Sequence, residues 1–475
     1  METIKKNKKY ILVAIICVAL VLVFIPKNSN SDSIIIEGDK SKVEKTEKQK
    51  ERLVIGVYAP LEHSQIYLGE DQGSRLATKL VYESLVKINK DLSIDYQIAS
   101  HIKFSKDGKK ATIQINKKTF SDGSILNSQA IKDSYQELNS YESEYYNKSY
   151  TTNIVGMSDY QQGYTKDIKG IKVIDDKTLE FDFRDCRSEN ICALSLPVIN
   201  VEDSCGSGSY IVKKYRFGKD ICLKRTNQDE KLSYKEVIIK GINTDNMERQ
   251  MKDFNLDVLE VGEGHFKTIK KLGYHNVYQL NKDNLTYLDF NLNSSSGKNK
   301  KIREAVYYGF NKHDLKKSMN KNNVFIGHYM TTSLKDNQDV YNLSKAKSAK
   351  QETKITNIDF DMNGDANSLL TYQSIQKSLK KVGLNISQGS SFASIKTTHL
   401  DSQYGIEKKI LQSSLKKDYQ KKVKETYQKD CLDILKELDS YILDEYLVLP
   451  LYTSTYNLAI ASDVQQDEVL ELMTQ

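Results

Sequence analysis

The stretch that decides the fold reads DGKKATIQINKKTFSDGS and covers residues 107–124. It begins and ends in an Asp-Gly turn, since glycine adopts positive φ angles at no steric cost. Between the turns, residues 111–115 alternate apolar and polar side chains, which predicts a strand with one apolar face. Apolar residues at helical spacing then predict a helix over residues 128–138, with Ser128 as its N-cap. On the residues alone, this is a strand–turn–helix unit of an α/β protein.

Further patterns follow in a definite order along the chain. They are YESLV at 82–86, the hairpin IKVIDDKTLEFDF at 171–183, GSGSY at 206–210, LTYLDFNL at 285–292, IREA at 302–305 and LVLPLY at 447–452. Together with the SDG region, they resemble the family 5 extracellular solute-binding proteins, which are the peptide- and nickel-binding subunits of ABC importers. The resemblance spans residues 53–463 and lies more in the order of the motifs than in any one of them.

This resemblance implies an α/β, two-lobed, periplasmic-binding-protein-like fold of type II. An extra subdomain is expected on the first lobe, and two crossing strands at 285–291 and 447–452 are expected to form the hinge. The expected division is a signal or anchor segment at 1–26, a polar tether at 27–51, lobe I at 52–80, 171–285 and 450–475, the subdomain at 81–170, and lobe II at 286–449. Residues 141–164 are polar and are expected to form a surface excursion.

The resemblance also implies a ligand cleft between the lobes, which closes around its guest. Its candidate ligand-binding residues are Tyr58, Gly206, Ser207, Tyr287, Asn291 and Tyr452. Peptide-binding members carry a segment W-x-x-DY-x-DP whose Asp receives the α-amino group of the ligand. Residues 388–418 occupy that interval here and contain no Trp and no Asp-Pro. The sequence therefore leaves the ligand, its length and the partner of a peptide amine open.

The N-terminus sets the expected compartment. Four lysines precede an apolar run at residues 10–25, and Pro26 ends it, which is typical of an export signal. As a helix the run is about 24 Å long, which is short for a bilayer core of roughly 30 Å. We expect an uncleaved anchor, with a cleaved signal as the alternative, and both place the remainder outside the cytoplasm. The polar segment that follows is expected to be a tether.

Composition excludes several classes of function. The net charge of +7 is small for 475 residues, and the four N-terminal lysines with Glu2 contribute +3 of it, so nucleic acid is not an expected partner. Among six cysteines, Cys186 and Cys192 flank a short segment that a disulfide could close, but free or partly paired thiols in ordinary packing positions are the favoured expectation. Neither the cysteines nor the histidines show metal-ligand spacing, so no metal and no cofactor are expected. No G-x-S-x-G motif or other catalytic constellation is present, so no enzymatic activity is expected.

Two functional hypotheses remain open at this point. The first is a monomeric, tethered capture subunit of an ABC importer, which delivers a small ligand, an oligopeptide above all, to a membrane permease. The alternative is a membrane-anchored ligand-binding sensor or regulatory protein, derived from the same fold, that no longer serves transport. The absent DY-x-DP segment supports the alternative, whereas the retained order of motifs supports the first.

Overall fold

The computed structural model describes residues 50–58, 61, 63–226, 233–243, 246–274, 276–319, 322–333, 340–362, 366–399 and 405–474. The predicted signal or anchor segment and all but the last two residues of the predicted tether lie outside these ranges. Within these ranges, no helix combines the length and the apolar character that crossing a bilayer requires.

The strands, in chain order, are β1 Arg52–Val57, β2 Val86–Ile88, β3 Ile94–Tyr96, β4 Ala99–Phe104, β5 Lys110–Ile115, β6 Lys118–Thr119, β7 Ile125–Leu126, β8 Ile171–Asp175, β9 Thr178–Asp182, β10 Tyr210–Arg216, β11 Asp220–Arg225, β12 Glu236–Gly241, β13 Val258–Val261, β14 Asn276–Asn281, β15 Asn284–Phe290, β16 Asn323–Phe325, β17 Asn357–Asp361, β18 Asn385–Gln388, β19 Ala393–His399 and β20 Val448–Ile460. The α-helices are α1 Gln72–Val81, α2 Ser128–Asn139, α3 Met157–Gln161, α4 Met247–Phe254, α5 Phe266–Lys271, α6 Ser295–Lys298, α7 Lys300–Gly309, α8 Lys312–Lys316, α9 Leu343–Gln351, α10 Ala366–Lys380, α11 Gly405–Leu411, α12 Lys416–Lys429, α13 Ile434–Asp444 and α14 Gln466–Thr474. Short 3-10 helices occur at Ile66–Leu68, Lys148–Thr151, Ser188–Leu194, Glu263–His265 and Cys431–Asp433.

One mixed sheet runs through the molecule, with the order β10-β11-β12-β1-β13-β20-β15-β19-β17-β18 and with β14 and β16 also paired to β20. The C-terminal part of β20 pairs with β13 and β14, whereas its N-terminal part pairs with β15. We call β10 to β14 with β1 the first sheet half, and β15 to β19 the second sheet half. The long strand β20 is therefore shared by both halves.

The chain crosses between the halves twice, side by side. One passage is residues 282–283, between β14 and β15, and the other is residues 453–454, within β20. The two touch directly, because the amide of Lys282 donates to the carbonyl of Ser454 at 2.8 Å. The strands predicted at 285–291 and 447–452 are confirmed as β15 and the N-terminal part of β20, although β20 continues to Ile460. The predicted lobe boundaries stay a prediction.

The segment quoted first folds as its pattern predicts. In β5 the apolar side chains are buried and the alternate ones are more exposed, within a four-stranded sheet of order β4-β5-β9-β8. The helix that follows is confirmed as α2, but the N-cap prediction is wrong. Asn127 is the N-cap, and its side chain accepts a hydrogen bond from the amide of Ala130 at 2.9 Å. Ser128 is instead buried as the first residue of the helix.

Helices α11 to α13 pack with the N-terminal part of the chain. Their apolar side chains belong to the same buried cluster as β4, β5 and the first sheet half. The second sheet half has its own cluster, with α7, α9 and α10. In the first cluster the ring of Tyr427 stacks on Phe104 with centroids 3.8 Å apart. Stacked aromatic pairs of this kind contribute about 0.5–1.5 kcal/mol beyond their buried area.

The possible disulfide between Cys186 and Cys192 is not formed, and both side chains are buried. Cys192 lies inside the 3-10 helix Ser188–Leu194. The sulfur of Cys186 packs instead against the turn of β4 and β5, where a Cβ added at Gly108 would lie 2.4 Å from it.

Candidate ligand-binding site

A cavity of about 950 Å³ lies beside the two passages between the sheet halves. This volume is at the upper end of the range for pockets that enclose small ligands. Its lining residues are Glu70, Gln72, Arg75, Leu76, Lys79, Lys90, Tyr146, Asn147, Ser149, Tyr150, Thr152, Arg187, Glu189, Glu260, Asn281, Lys282, Asp283, Asn284, Gly405, Lys408, Tyr456, Leu472 and Met473. These lining residues come from segments that are distant in sequence and that meet where the chain passes between the two sheet halves.

Helix α1 forms one wall of the cavity. Its N-cap is Asp71, whose carboxylate accepts the amide of Ser74 at 2.9 Å. From there the lining residues Gln72, Arg75, Leu76 and Lys79 follow the i, i+3, i+4, i+7 spacing of one helix face. None of these four residues is among the predicted ligand-binding residues. The N-cap aspartate followed by this spacing is the signal that marks this wall.

The middle of the segment 141–164 forms a second wall, so its prediction as a surface excursion is confirmed for the exposed ends at Tyr141 and Tyr164 and is wrong for the middle. Tyr145, Ile154 and Met157 are buried, and the hydroxyl of Thr151 donates to the side chain of Asn139 at 2.6 Å. The segment is polar because its polar groups bond to one another and line the cavity. Across this wall, the guanidinium of Arg75 lies 5.1 Å from the ring centre of Tyr146.

The cavity carries charges of both signs, with basic side chains in excess. The basic ones are Arg75, Lys79, Lys90, Arg187, Lys282 and Lys408, and the acidic ones are Glu70, Glu189, Glu260 and Asp283. Ion pairs within the lining include Lys90 with Asp283 at 3.2 Å and Arg187 with Glu189 at 2.6 Å. Burial raises the pKa of Glu260, and the charge of Lys282 opposes this shift. Burial likewise raises the pKa of Glu189 against the influence of Arg187.

Residues of α11 and α12 form hydrogen bonds that hold the wall containing Arg187. The carboxylate of Glu407 accepts the amides of Ser188 at 2.6 Å and Glu189 at 3.0 Å, and Tyr419 also donates its hydroxyl to it. Tyr427 donates to the carbonyl of Arg187 at 2.7 Å. Burial, and then the charge of Glu189, raise the pKa of Glu407, which is fully enclosed. These contacts fix the backbone next to the cavity.

The six predicted binding residues do not line this cavity. Tyr58 donates its hydroxyl to the carbonyl of Glu260 at 2.9 Å, which places it behind the cavity wall. Gly206 and Ser207 lie together at the end of α1, where the hydroxyl of Ser207 donates to Glu83 at 2.8 Å.

The other three predicted residues lie along β15 and β20. Tyr287 is buried edge-on against Tyr329, with ring centres 5.0 Å apart. Tyr452 is buried with its ring centre 6.1 Å from that of Phe325. The side chain of Asn291 accepts the amide of residue 293 at 3.1 Å. Ligand contact by any of the six predicted residues stays a prediction.

Gly206 has a structural role that a substitution would reveal. A Cβ built on it would lie 2.1 Å from the carbonyl oxygen of Val81, a backbone atom that cannot move aside. We expect Gly206→Ala to lower the free energy of unfolding by about 1–3 kcal/mol, as overpacking does. Urea denaturation measures this loss. Gly264→Ala is the control because no atom lies within 4 Å of a Cβ there, and equal losses in the two variants would contradict the packing role.

The chain resembles known proteins both in sequence and in fold. A family model described as bacterial extracellular solute-binding proteins, family 5 Middle, matches residues 93–406. No curated protein matches the chain. Among solved structures, the unliganded open form of MppA, a periplasmic murein tripeptide binding protein, has a TM-score of 0.68 at 14% identity, covering 87% of this chain and 94% of its own.

Two further structures resemble the chain in the same way. HbpA2 from Haemophilus parasuis has a TM-score of 0.60 at 14% identity, covering 86% of this chain and 95% of its own. The ABC transporter substrate-binding protein CtaP from Listeria monocytogenes has a TM-score of 0.56 at 16% identity, covering 87% and 95%. These likenesses confirm the predicted two-lobed α/β fold. The family match, which covers well over half of the sequence, shows that the chain belongs to the family 5 bacterial extracellular solute-binding proteins of ABC transporters.

Proposed function

We propose that this protein captures an oligopeptide in the cavity beside the crossing and delivers it to a membrane permease. Proteins of this family bind small ligands or peptides outside the cytoplasm, work with ABC permeases and are not enzymes. The observation that carries the proposal is the cavity of about 950 Å³ with charges of both signs. A peptide presents an ammonium and a carboxylate, which such a lining accommodates, whereas an anionic metal chelate needs only the basic side chains.

The cavity lies beside the two passages between the sheet halves, so a bound ligand can contact both halves. Among the lining residues, Glu260 lies on β13 of the first sheet half, whereas Asn284 begins β15 of the second sheet half. A ligand that contacts both sides favours the closed arrangement, because only that arrangement makes both sets of contacts. The two passages are where rotation would occur, as in hinge closure. The permease would then recognise the closed form.

We further propose that the protein acts as a monomer at the outer face of the membrane, tethered by the segment at 1–26. It would bind its ligand without catalysis and without a cofactor. The family match is to binding proteins of importers, and it does not favour the alternative of a sensor that has lost transport.

Peptide capture is tested with the full-length protein in mild detergent. We expect it to retain peptides from a mixture of dipeptides to pentapeptides, identified by mass spectrometry after gel filtration. A retained peptide added at a hundredfold excess over its Kd should stabilise the fold by about 2.7 kcal/mol, seen as a rise in Tm. Retention of a nickel chelate, with no peptide retained and no rise in Tm, would contradict the proposal.

A further inference from the structure

The helices that cover the second sheet half have an uneven charge balance. Helices α9 and α10 contain five lysines and no acidic residue, and the short α8 contains one aspartate. By contrast, α12, α13 and α14 each contain two or three acidic residues. Of the residues described between 286 and 399, fifteen are lysine or arginine and six are aspartate or glutamate. The positive charge of the described chain is therefore concentrated in the second sheet half and its helices.

The lysines of α8, α9 and α10 form one exposed surface. The carboxylate of Asp314 on α8 lies 3.9 Å from the ammonium groups of both Lys377 and Lys381, at the end of α10. Ala346 of α9 and the end of α10 both pack against Gly309 of α7, so the three helices lie close together here. We call this surface the basic face, and its exposed members are Lys316, Lys317, Lys347, Lys377, Lys380 and Lys381.

Most of the charge on the basic face is not neutralised. Asp314 is shared between two lysines, and its carboxylate is at the limit of ion-pair distance from each. The other four lysines form no ion pair with any residue that the structure describes, and they are Lys316, Lys317, Lys347 and Lys380. Clustered like charges repel one another, and an anionic partner removes this repulsion. The basic face is therefore suited to an anionic surface.

Two observations favour a lipid surface over a protein or the ligand. No lysine of the basic face lines the cavity, so ligand capture does not account for this charge. All six members are lysines, and lysine is depleted at protein–protein interfaces, whose cores are apolar and aromatic. Anionic lipid headgroups instead offer a plane of negative charge that attracts lysines without apolar contacts.

The predicted tether gives the basic face access to such a surface. The 23 residues from 27 to 49 can span at most about 80 Å. A folded part of this size has a diameter of roughly 55 Å. The described chain begins beside the first sheet half, where Lys50 pairs with Asp257 and Asp463. The basic face lies on the second sheet half, so the two would attach the protein at separate places.

We propose that the basic face binds anionic lipid headgroups of the membrane to which the protein is tethered, and so fixes how the folded part lies on that membrane. The inference rests on the tether of the proposed function and is independent of peptide capture. Each lysine near an anionic membrane favours contact about fivefold, so several together hold a surface that the tether already keeps nearby.

Brief acetylation of lysines in the full-length protein tests this contact. The protein is reconstituted in vesicles of phosphatidylcholine alone, or of phosphatidylcholine with phosphatidylglycerol, and labelling is read for each lysine by mass spectrometry. We expect Lys316, Lys347 and Lys380 to be labelled about 3–10-fold more slowly with phosphatidylglycerol. The protection should vanish in about 1 M salt, where the screening length is about 3 Å. Lys177, exposed in the turn of β8 and β9, is the reference and should not change.

Two double variants assign the protection to the basic face. Lys316→Gln with Lys380→Gln should abolish most of the protection of Lys347. Lys417→Gln with Lys421→Gln is the matched control, because it removes the same charge from exposed lysines of α12 and should leave the protection intact. All four positions are exposed, so both variants should fold.

The outcomes separate the basic face from the tether and from peptide capture. Equal labelling in the two kinds of vesicle, or equal protection of Lys347 in the two double variants, overturns the lipid contact and leaves capture standing. An acidic protein would then be the partner to seek. If the protein fails to float with phosphatidylcholine vesicles, the tether is wrong, and protection by added phosphatidylglycerol vesicles still decides whether the basic face binds lipid.

Discussion

Replacing Arg303 by alanine should lower the free energy of unfolding by about 3–5 kcal/mol, because three carbonyls would lose their hydrogen-bond donor. The side chain is almost fully buried on α7 and donates to three carbonyls. Its Nε donates to Tyr446 at 2.9 Å, its Nη1 to Gly297 at 2.6 Å and its Nη2 to Glu445 at 2.9 Å. Alanine would leave these acceptors without partners, and each such loss costs about 1–3 kcal/mol.

Desolvation limits the size of this effect. Burial lowers the pKa of Arg303 to about 10, which means that the enclosed charge is itself unfavourable. Urea denaturation of the variant measures the net effect of losing the three hydrogen bonds and removing the buried charge. Arg249→Ala is the control, because that arginine is exposed on α4 and forms a surface ion pair with Asp253, so its loss should stay within about 0.5 kcal/mol. A loss below 1 kcal/mol for Arg303→Ala would contradict the role of the three carbonyls.

The helix of Arg303 was predictable, but the partners of its side chain were not. The predicted strands at 111–115 and 285–291 match β5 and β15 within a residue or two, and the motif IREA falls inside α7. Two of the three carbonyls that Arg303 binds lie more than 140 residues away, at Glu445 and Tyr446. A period of 2 or 3.6 residues reports which face is apolar, and it carries no information about which distant segment covers that face.

The cavity illustrates the same limit. Glu407 lies in the segment GIEKKIL, where its neighbours are lysines and an exposed carboxylate would be ordinary. It is buried because it accepts amides from Ser188 and Glu189, more than 200 residues earlier. The wall of α1 was within reach of sequence reasoning, since Asp71 and the helix-face spacing are local signals. The wall formed by Tyr146 to Thr152 could not be predicted from the sequence. A polar segment has the same composition whether it forms a solvated loop or lines a cavity.

Replacing Asp439 by alanine should also destabilise the protein by about 3–5 kcal/mol. This aspartate is buried on α13, where one carboxylate oxygen accepts the amides of Tyr329 at 2.9 Å and Met330 at 2.7 Å. The other oxygen bonds to Nδ1 of His328 at 2.5 Å. The variant would lose the tie between α13 and the segment that packs on Tyr287 of β15. Buried amides left without an acceptor make that loss large.

Urea denaturation again measures the effect, with two variants as controls. Asp439→Asn keeps an oxygen for the two amides, so it should retain much of the stability that alanine loses. Asp444→Ala removes an exposed aspartate from the last turn of the same helix, where a negative charge opposes the helix dipole, so it should be neutral or slightly stabilising. If Asp439→Ala and Asp444→Ala changed stability equally, residues 328–330 would be held by other contacts, and α13 would not be what positions them against β15.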